Sequence, residues 1–296
     1  NGFELTTTLD FDTNADGVMD ANDTYWNDGE GWVPIGDFFS YFAATFDGNG
    51  YQIRNLYIRH TRSSNAGLFG YVNGDNDGDG VNNTASLLNI GLTGELMSVT
   101  GTSSVGGLAG YVRGAFVSQS YSTGFITGDR NVGGLIGAIR YSSISNSFST
   151  GRVTGNVRVG GFIGGIDNSS LNHSFATGKV IGKDYVGGLI GYVNFSVFIN
   201  THWGRDTSGQ ELSVGESEID NYFGATLAEL QCPTSSDDAE CLNGNTLYAT
   251  WDNTVWDFGT NQELPGLIIN GVVYRDSDGD GSLDGDDAFP NNRAGS

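Results

Sequence analysis

Three segments of the 296-residue chain place carboxylates at the spacing a hard divalent cation requires. In residues 12–23, Asp12, Asn14, Asp16, Asp20 and Asp23 occupy positions 1, 3, 5, 9 and 12, with Gly17 at position 6. In residues 276–287, Asp276, Asp278, Asp280, Asp284 and Asp287 fill the same positions around Gly281. A third run has Asp75, Asp77 and Asp79, then Gly80, Val81 and Asn83, but Ser86 stands where the closing acid would be. Calcium takes about six to eight oxygens at roughly 2.3–2.6 Å, and alternate side chains of a tight loop can converge on one ion. The glycine permits the sharp turn, and the carbonyl after it (Val18, Val81 or Ser282) can add a ligand. Two or three structural Ca²⁺ ions are therefore expected, with the 75–83 loop the weaker site. The helices that flank sensor EF-hands are missing, so these loops are expected to act as clips at extracellular calcium concentrations.

Other chemistry is sparse. Cys232 and Cys241, separated by eight residues in a polar stretch without histidine, are expected to form a local disulfide, which implies an oxidising compartment. No zinc pattern, nucleophile motif or phosphate-binding loop occurs. His202 and Asp206 lie four residues apart, a weak catalytic signal, and Arg140 with Asp167 is expected as a surface ion pair. The expectation is of no enzyme activity and no catalytic residue. The net charge of −22, from 35 acidic and 13 basic residues, opposes binding to nucleic acid or anionic membranes. No apolar run approaches the roughly 18 residues of a membrane helix. The chain starts at Asn1 without Met or signal peptide, as expected of a processed form or excised segment.

What positions these loops is a repeat. Glycine is frequent, at 47 residues, and one signature recurs: Asn65–Val72, Val105–Val112, Val132–Ile139, Val159–Ile166 and Val186–Val193. The third position of each, always glycine, falls at 67, 107, 134, 161 and 188, so three successive intervals are 27 residues. Equal intervals mark stacked identical units. Columns of like residues follow: Val117, Ile144, Leu171 and Phe198; Tyr121, Phe148, Phe175 and His202; Thr123, Thr150 and Thr177. A 27-residue unit with three short period-2 strands predicts an all-β, right-handed parallel β-helix (β-solenoid) with coils about 4.8 Å apart. The column Asn89, Gln119, Asn146, His173 and Asn200 is expected as an amide ladder at a coil corner, each side chain bonding the next coil. The 40-residue interval implies ten residues inserted at one corner, which is where the 75–83 loop falls, and three more before Val105.

Four parts are expected: residues 1–35, a strand, calcium loop and cap; 36–212, the solenoid; 213–274, a C-terminal cap holding the disulfide, a short helix at 226–231 and Trp251 and Trp256 over the open core; and 275–296, a calcium-stiffened linker.

The Val-Gly-Gly-Leu-Ile-Gly cores with Ser-Phe-Ser-Thr-Gly-Arg-Val strands resemble the GLUG-motif repeats of bacterial surface proteins. Thr45-Phe46-Asp47-Gly48-Asn49-Gly50 and His202-Trp203 through Gln210 are similar to the first and last coils of such β-helices. Asp276 to Pro290 resembles thrombospondin type 3 calcium repeats, which link domains in long extracellular proteins. The resemblance implies a secreted or cell-surface bacterial protein, adhesin-like and non-catalytic. Its partners would be a cell-surface glycan or protein, or other copies of itself, without nucleic acid or membrane insertion. Three other functions remain open: a calcium-stabilised filament protomer, a polysaccharide-active enzyme, and a glycan- or ice-binding face on the Thr column.

Overall fold

The computed structural model describes residues 2–61, 64–75, 85–216, 224–231, 247–260, 262–279, 281–287 and 290. Cys232, Cys241, Asp77, Asp79, Val81, Asn83 and Asp280 lie outside the described residues.

The 27-residue periodicity becomes a parallel β-solenoid. One coil runs through Arg130–Gly133, Ile136–Arg140, Ser143–Ser145, Phe148–Ser149 and Val153–Thr154. Each segment pairs in parallel with its equivalent 27 residues on: Val132 with Val159, Ile136 with Ile163, Ser143 with Ser170, Phe148 with Phe175, Val153 with Val180. The three strands expected per coil are thus divided into five short segments. The divisions have a backbone cause. Three columns carry positive φ: Ser104, Asn131, Arg158 and Tyr185; Gly114, Tyr141, Asn168 and Phe195; and Asn89, Gln119, Asn146, His173 and Asn200. A single left-handed residue turns an extended chain sharply, and Asn and Gly tolerate that conformation best.

Inside the coils, Val132, Leu135, Ile136, Ile144, Val153 and Val159 are fully buried, part of one continuous apolar column. The signature glycines are needed for closeness. A Cβ on Gly134 would collide with Ser149 Oγ and with the carbonyl of Gly161 in the next coil.

The insertions fall where the intervals placed them. Phe69 pairs with Ala109, 40 residues on, whereas Ser86 pairs with Phe116, 30 on. Ten extra residues therefore lie between Phe69–Asn73 and Ala85–Leu88. The pairing of Gly91 with Tyr121 is still offset by 30, that of Ser98 with Phe125 by 27. The other three residues thus fall between 91 and 98, at a turn where Gly94 has φ +111°.

At one end, Gly2–Glu4 and Leu9–Asp10 add a partial coil by pairing in parallel with Thr45–Asp47 and Gln52–Arg54. At the other, Val214 bridges Ile190 and Gly224–Ala225 pairs with His202–Gly204. A one-turn helix, Arg205–Ser208, was not legible beforehand and stops at Gly209 with φ +68°. The expected helix forms at Leu227–Leu230. Thr226 accepts from Glu229 N–H while the Glu229 carboxylate accepts from Thr226 N–H, a capping box.

Trp251 and Trp256, expected over the open end of the core, lie instead along the side of the solenoid with the other described residues of 247–274. Trp256–Asp257, Gly266–Ile269 and Val272–Tyr274 form a small antiparallel sheet that lies along the side of the solenoid. Under it the Tyr121, Phe148 and Phe175 column stacks at centroid spacings of 4.8 and 5.3 Å. These rings point away from the coil interior and form a second core with Trp251, Trp256, Leu267, Ile269 and Tyr274. The flap reaches back to the first coils, where Tyr274 Oη donates to the Gly50 carbonyl (2.6 Å) and Asn270 Nδ2 to that of Asn49 (2.9 Å).

The expected amide ladder is at a corner, but its side chains mainly hold the flap. Gln119 Nε2 donates to the Ile268 carbonyl, Asn146 Oδ1 accepts from Trp256 Nε1, and Asn200 Nδ2 donates to Thr250 Oγ1. One rung joins two members of the column, Asn200 Nδ2 with His173 Nε2 at 3.3 Å. The buried ladder sits one residue later and is made of serines. Ser120 N–H donates to Ser147 Oγ and Ser147 N–H to Ser174 Oγ (3.2 Å each). The hydroxyls of Ser120, Ser147 and Ser174 donate in turn to the carbonyls of residues 118, 145 and 172. All three serines are fully buried, so these bonds satisfy backbone groups the corner would otherwise orphan.

Candidate calcium loops

The loop at 12–23 is inserted in the first partial coil, directly after Leu9–Asp10. Its glycine behaves as position 6 requires: Gly17 has φ +79°, and its N–H donates to Asp12 Oδ2 (2.9 Å), so the loop folds over its first acid. Asp12 Oδ1 accepts from Asp16 N–H (3.2 Å), and Asp16 Oδ1 accepts from Val18 N–H (3.0 Å). Asp23 closes the loop by accepting from Thr13 N–H (2.7 Å) and Asp20 N–H (3.0 Å). Asp12 and Asp23 are buried; Asn14, Asp16 and Val18 are exposed. Burial pushes Asp23 up, but its hydrogen bonds from Asp20 and Thr13 outweigh that and hold its carboxyl below the ordinary carboxylate value.

The loop at 276–287 is built differently. Gly281 again sits in the left-handed region, with φ +106°. Asp276 and Asp278 are almost completely buried. Asp276 Oδ1 accepts from Gly279 N–H (2.7 Å), and Asp284 accepts from both the N–H (2.7 Å) and the hydroxyl (2.6 Å) of Ser277. Burial raises the Asp284 carboxyl above its ordinary value despite those bonds. Ser282 and Asp287 are half-buried at the end of the loop.

Of the linker expected over 275–296, the described residues 275–279 and 281–287 lie against the coils. Thr123 Oγ1 donates to the Gly281 carbonyl (2.6 Å), Thr150 Oγ1 to Asp276 Oδ2 (2.6 Å), and Arg54 pairs with Asp286 (2.8 Å). This corrects the expectation of a flat Thr face for ice or glycan. Thr123, Thr150 and Thr177 are at most 2% exposed, and the first two are spent on fastening the loop.

Of the 75–83 loop, only Asp75 is among the described residues. It is buried and accepts from Nε (3.0 Å) and Nη2 (2.7 Å) of Arg113. Among the described residues, no three His, Cys, Asp or Glu side chains gather into a ready-made metal cage. The donor chemistry nonetheless suits calcium: both loops offer hard oxygens. An ionised carboxylate carries about four lone-pair sites, so one that accepts two hydrogen bonds retains capacity for a cation.

Of the weaker catalytic signals, His202 and Asp206 point to different partners. His202 Nε2 is 2.9 Å from the Leu247 carbonyl, under the flap and 2% exposed, whereas Asp206 accepts from Leu227 N–H. Arg140 and Asp167 do form the surface pair between coils, at 2.8 Å.

Residues 128–154 match the family model of the GLUG motif. That stretch is one coil, from the strand of Arg130–Gly133 through that of Val153–Thr154. A comparison with curated protein sequences found no match. Among solved structures, the fold is similar to the crystal structure of a "putative immunoglobulin A1 protease" from Bacteroides ovatus. The TM-score is 0.56 at 19% identity, over 88% of this chain and 84% of that one. At that identity the likeness is one of fold.

Proposed function

We propose that this chain is a non-catalytic, calcium-binding module of an extracellular bacterial surface protein, a stiff spacer of the adhesin or stalk kind. The observation that carries this reading is the fastening of the Asp-rich 275–287 loop onto the coils through Thr123, Thr150 and Arg54. An acidic loop that buries Asp276 and Asp278 gathers negative charge in a low-dielectric place, which a divalent cation would offset. When bound, calcium supplies charge neutralisation and a rigid cross-link between alternate residues of the loop. Asp276, Asp278, Asp280, Asp284, Asp287 and the Ser282 carbonyl would hold one ion. Asp12, Asn14, Asp16, Asp20, Asp23 and the Val18 carbonyl would hold another. The first ion would then lock the flap along the solenoid, and the second would brace the partial coil at the other end.

Thermal unfolding and limited proteolysis in excess CaCl₂ and in excess EDTA test this. At a free calcium concentration about 100 times Kd, each ion adds about 2.7 kcal/mol to stability. The expected result is a higher Tm in calcium and slower cleavage within 12–23 and 276–287. Identical melting and identical cleavage in the two buffers would overturn the reading.

A further inference from the structure

One face of the solenoid, uncovered by the described residues, has the composition of a ligand groove. On the sheet that contains Ser143–Ser145, the register places Phe116, Ser143, Ser170 and Val197 in one outward column across four successive coils. The end members stand up as walls: Phe116 is 52% exposed and Val197 58%. The middle members form the floor, where Ser170 Oγ donates to Ser143 Oγ at 2.9 Å. Along one side runs the left-handed corner column Tyr141, Asn168 and Phe195, with Phe195 83% exposed. The resulting groove has a volume of about 410 Å³. Three coil steps put its walls about 14 Å apart, the length of a short chain of sugar rings.

We propose that this groove binds a neutral oligosaccharide. Three features select that ligand. Among the described residues the lining holds no charged side chain, although the chain as a whole carries −22. The floor strands are interior members of their sheet, with Ser143–Ser145 and Ser170–Asn172 paired on both sides. The groove therefore offers no free backbone ladder to an extended peptide, the usual basis of strand addition. What remains is exposed rings beside a row of hydroxyls, which complements a pyranose with its apolar C–H face and hydroxyl periphery. The Arg140–Asp167 pair stands at the rim, its guanidinium 4.6 Å from the centroid of Tyr141, and Asn168 Nδ2 donates to Asp167 Oδ1 (2.8 Å). A mutually neutralised pair of this kind can bond sugar hydroxyls without selecting a charged ligand.

This deepens the adhesive reading above, yet the two fail separately, because no described residue of the 12–23 or 276–287 loop lines the groove. The test presents the intact chain to immobilised neutral hexose and N-acetylhexosamine oligomers alongside uronate oligomers, with titration calorimetry on any hit. The expected result is binding to a neutral oligomer that EDTA leaves unchanged. Phe195→Ala should weaken it about tenfold, from one lost ring contact, and leave Tm in place because the ring is exposed. Ser170→Arg, which fills the floor, should abolish it. Absence of binding to every neutral oligomer, preference for uronates, or binding that survives both substitutions would overturn the proposal.

Discussion

Phe148→Ala should detach the flap while leaving the solenoid folded. The ring of Phe148 is fully buried, lies between Tyr121 and Phe175, and belongs to the core formed with the flap. Removing a buried phenylalanine costs about 3–5 kcal/mol, the larger values arising where surroundings cannot collapse. Collapse is resisted here because Tyr121 and Phe175 are anchored on strands one coil to either side, held at the coil spacing by parallel pairing. The flap is held to the coils otherwise by hydrogen bonds at Asn49 and Gly50 and by the Thr123, Thr150 and Arg54 contacts of the loop that follows it, while Arg275 pairs with Asp257 and Glu263 inside it. The loss should therefore appear as local opening, in which amides of 256–257 and 266–274 exchange through detachment of the flap. At about 1.4 kcal/mol per tenfold, even the lower cost accelerates their exchange by about a hundredfold. Hydrogen–deuterium exchange read by mass spectrometry measures this directly. The interior strands Ile136–Arg140 and Ile163–Asp167 should keep wild-type protection. Ile139→Ala, inside the coil, should do the reverse and weaken those strands first. If Phe148→Ala speeds exchange equally in flap and coil, or chiefly in the coil, the assignment of two separate cores is wrong.

Three other outcomes are expected. Ser147→Ala leaves the buried N–H of Ser120 without its acceptor, at a cost of about 1–3 kcal/mol, and should lower the denaturation midpoint without changing the m-value. Burial holds His173 below its ordinary value of 6.5, so the native state resists protonation. Its contribution is complete above 6.5 and is lost as the pH falls through the lower native value; Tm measured down that range should fall less steeply in His173→Asn, which keeps an amide in the column. Thr123→Val removes the 2.6 Å bond to the Gly281 carbonyl while keeping the side chain's shape, and should speed proteolysis within 276–287 without altering that within 12–23.

The coil was written in the one-dimensional pattern. Parallel stacking puts each residue above its equivalent one repeat earlier, so the intervals between glycines were already the strand register. Ile136, Ile163 and Ile190 pair as their spacing required, and the inserted residues fell between the strands their arithmetic indicated. The short helix at Leu227–Leu230 was legible for a similar reason: its capping box is a local signal. Both features depend on contacts that recur at a fixed separation along the chain.

The outer faces were not legible. Alternation along a strand says which side chains share a side, but not whether that side meets water or another segment. The Tyr121, Phe148 and Phe175 column and the Thr123, Thr150 and Thr177 column are both regular, yet the rings and the first two threonines are covered by residues far later in the chain. The flap has no periodicity to announce where it lies, and its strands are set by pairing with one another and by packing on rings already stacked. The corner column of Asn89, Gln119, Asn146, His173 and Asn200 was recognisable as polar and as a corner. That Gln119, Asn146 and Asn200 bond the flap follows from three-dimensional packing, because a side chain at a left-handed turn projects outward to whatever lies beside the coil. The sequence determined the repeat, the register and the acid spacing of the loops. The tertiary structure decided which faces the described residues cover, and so turned an expected linker into a fastening and left the Phe116–Val197 column exposed among them.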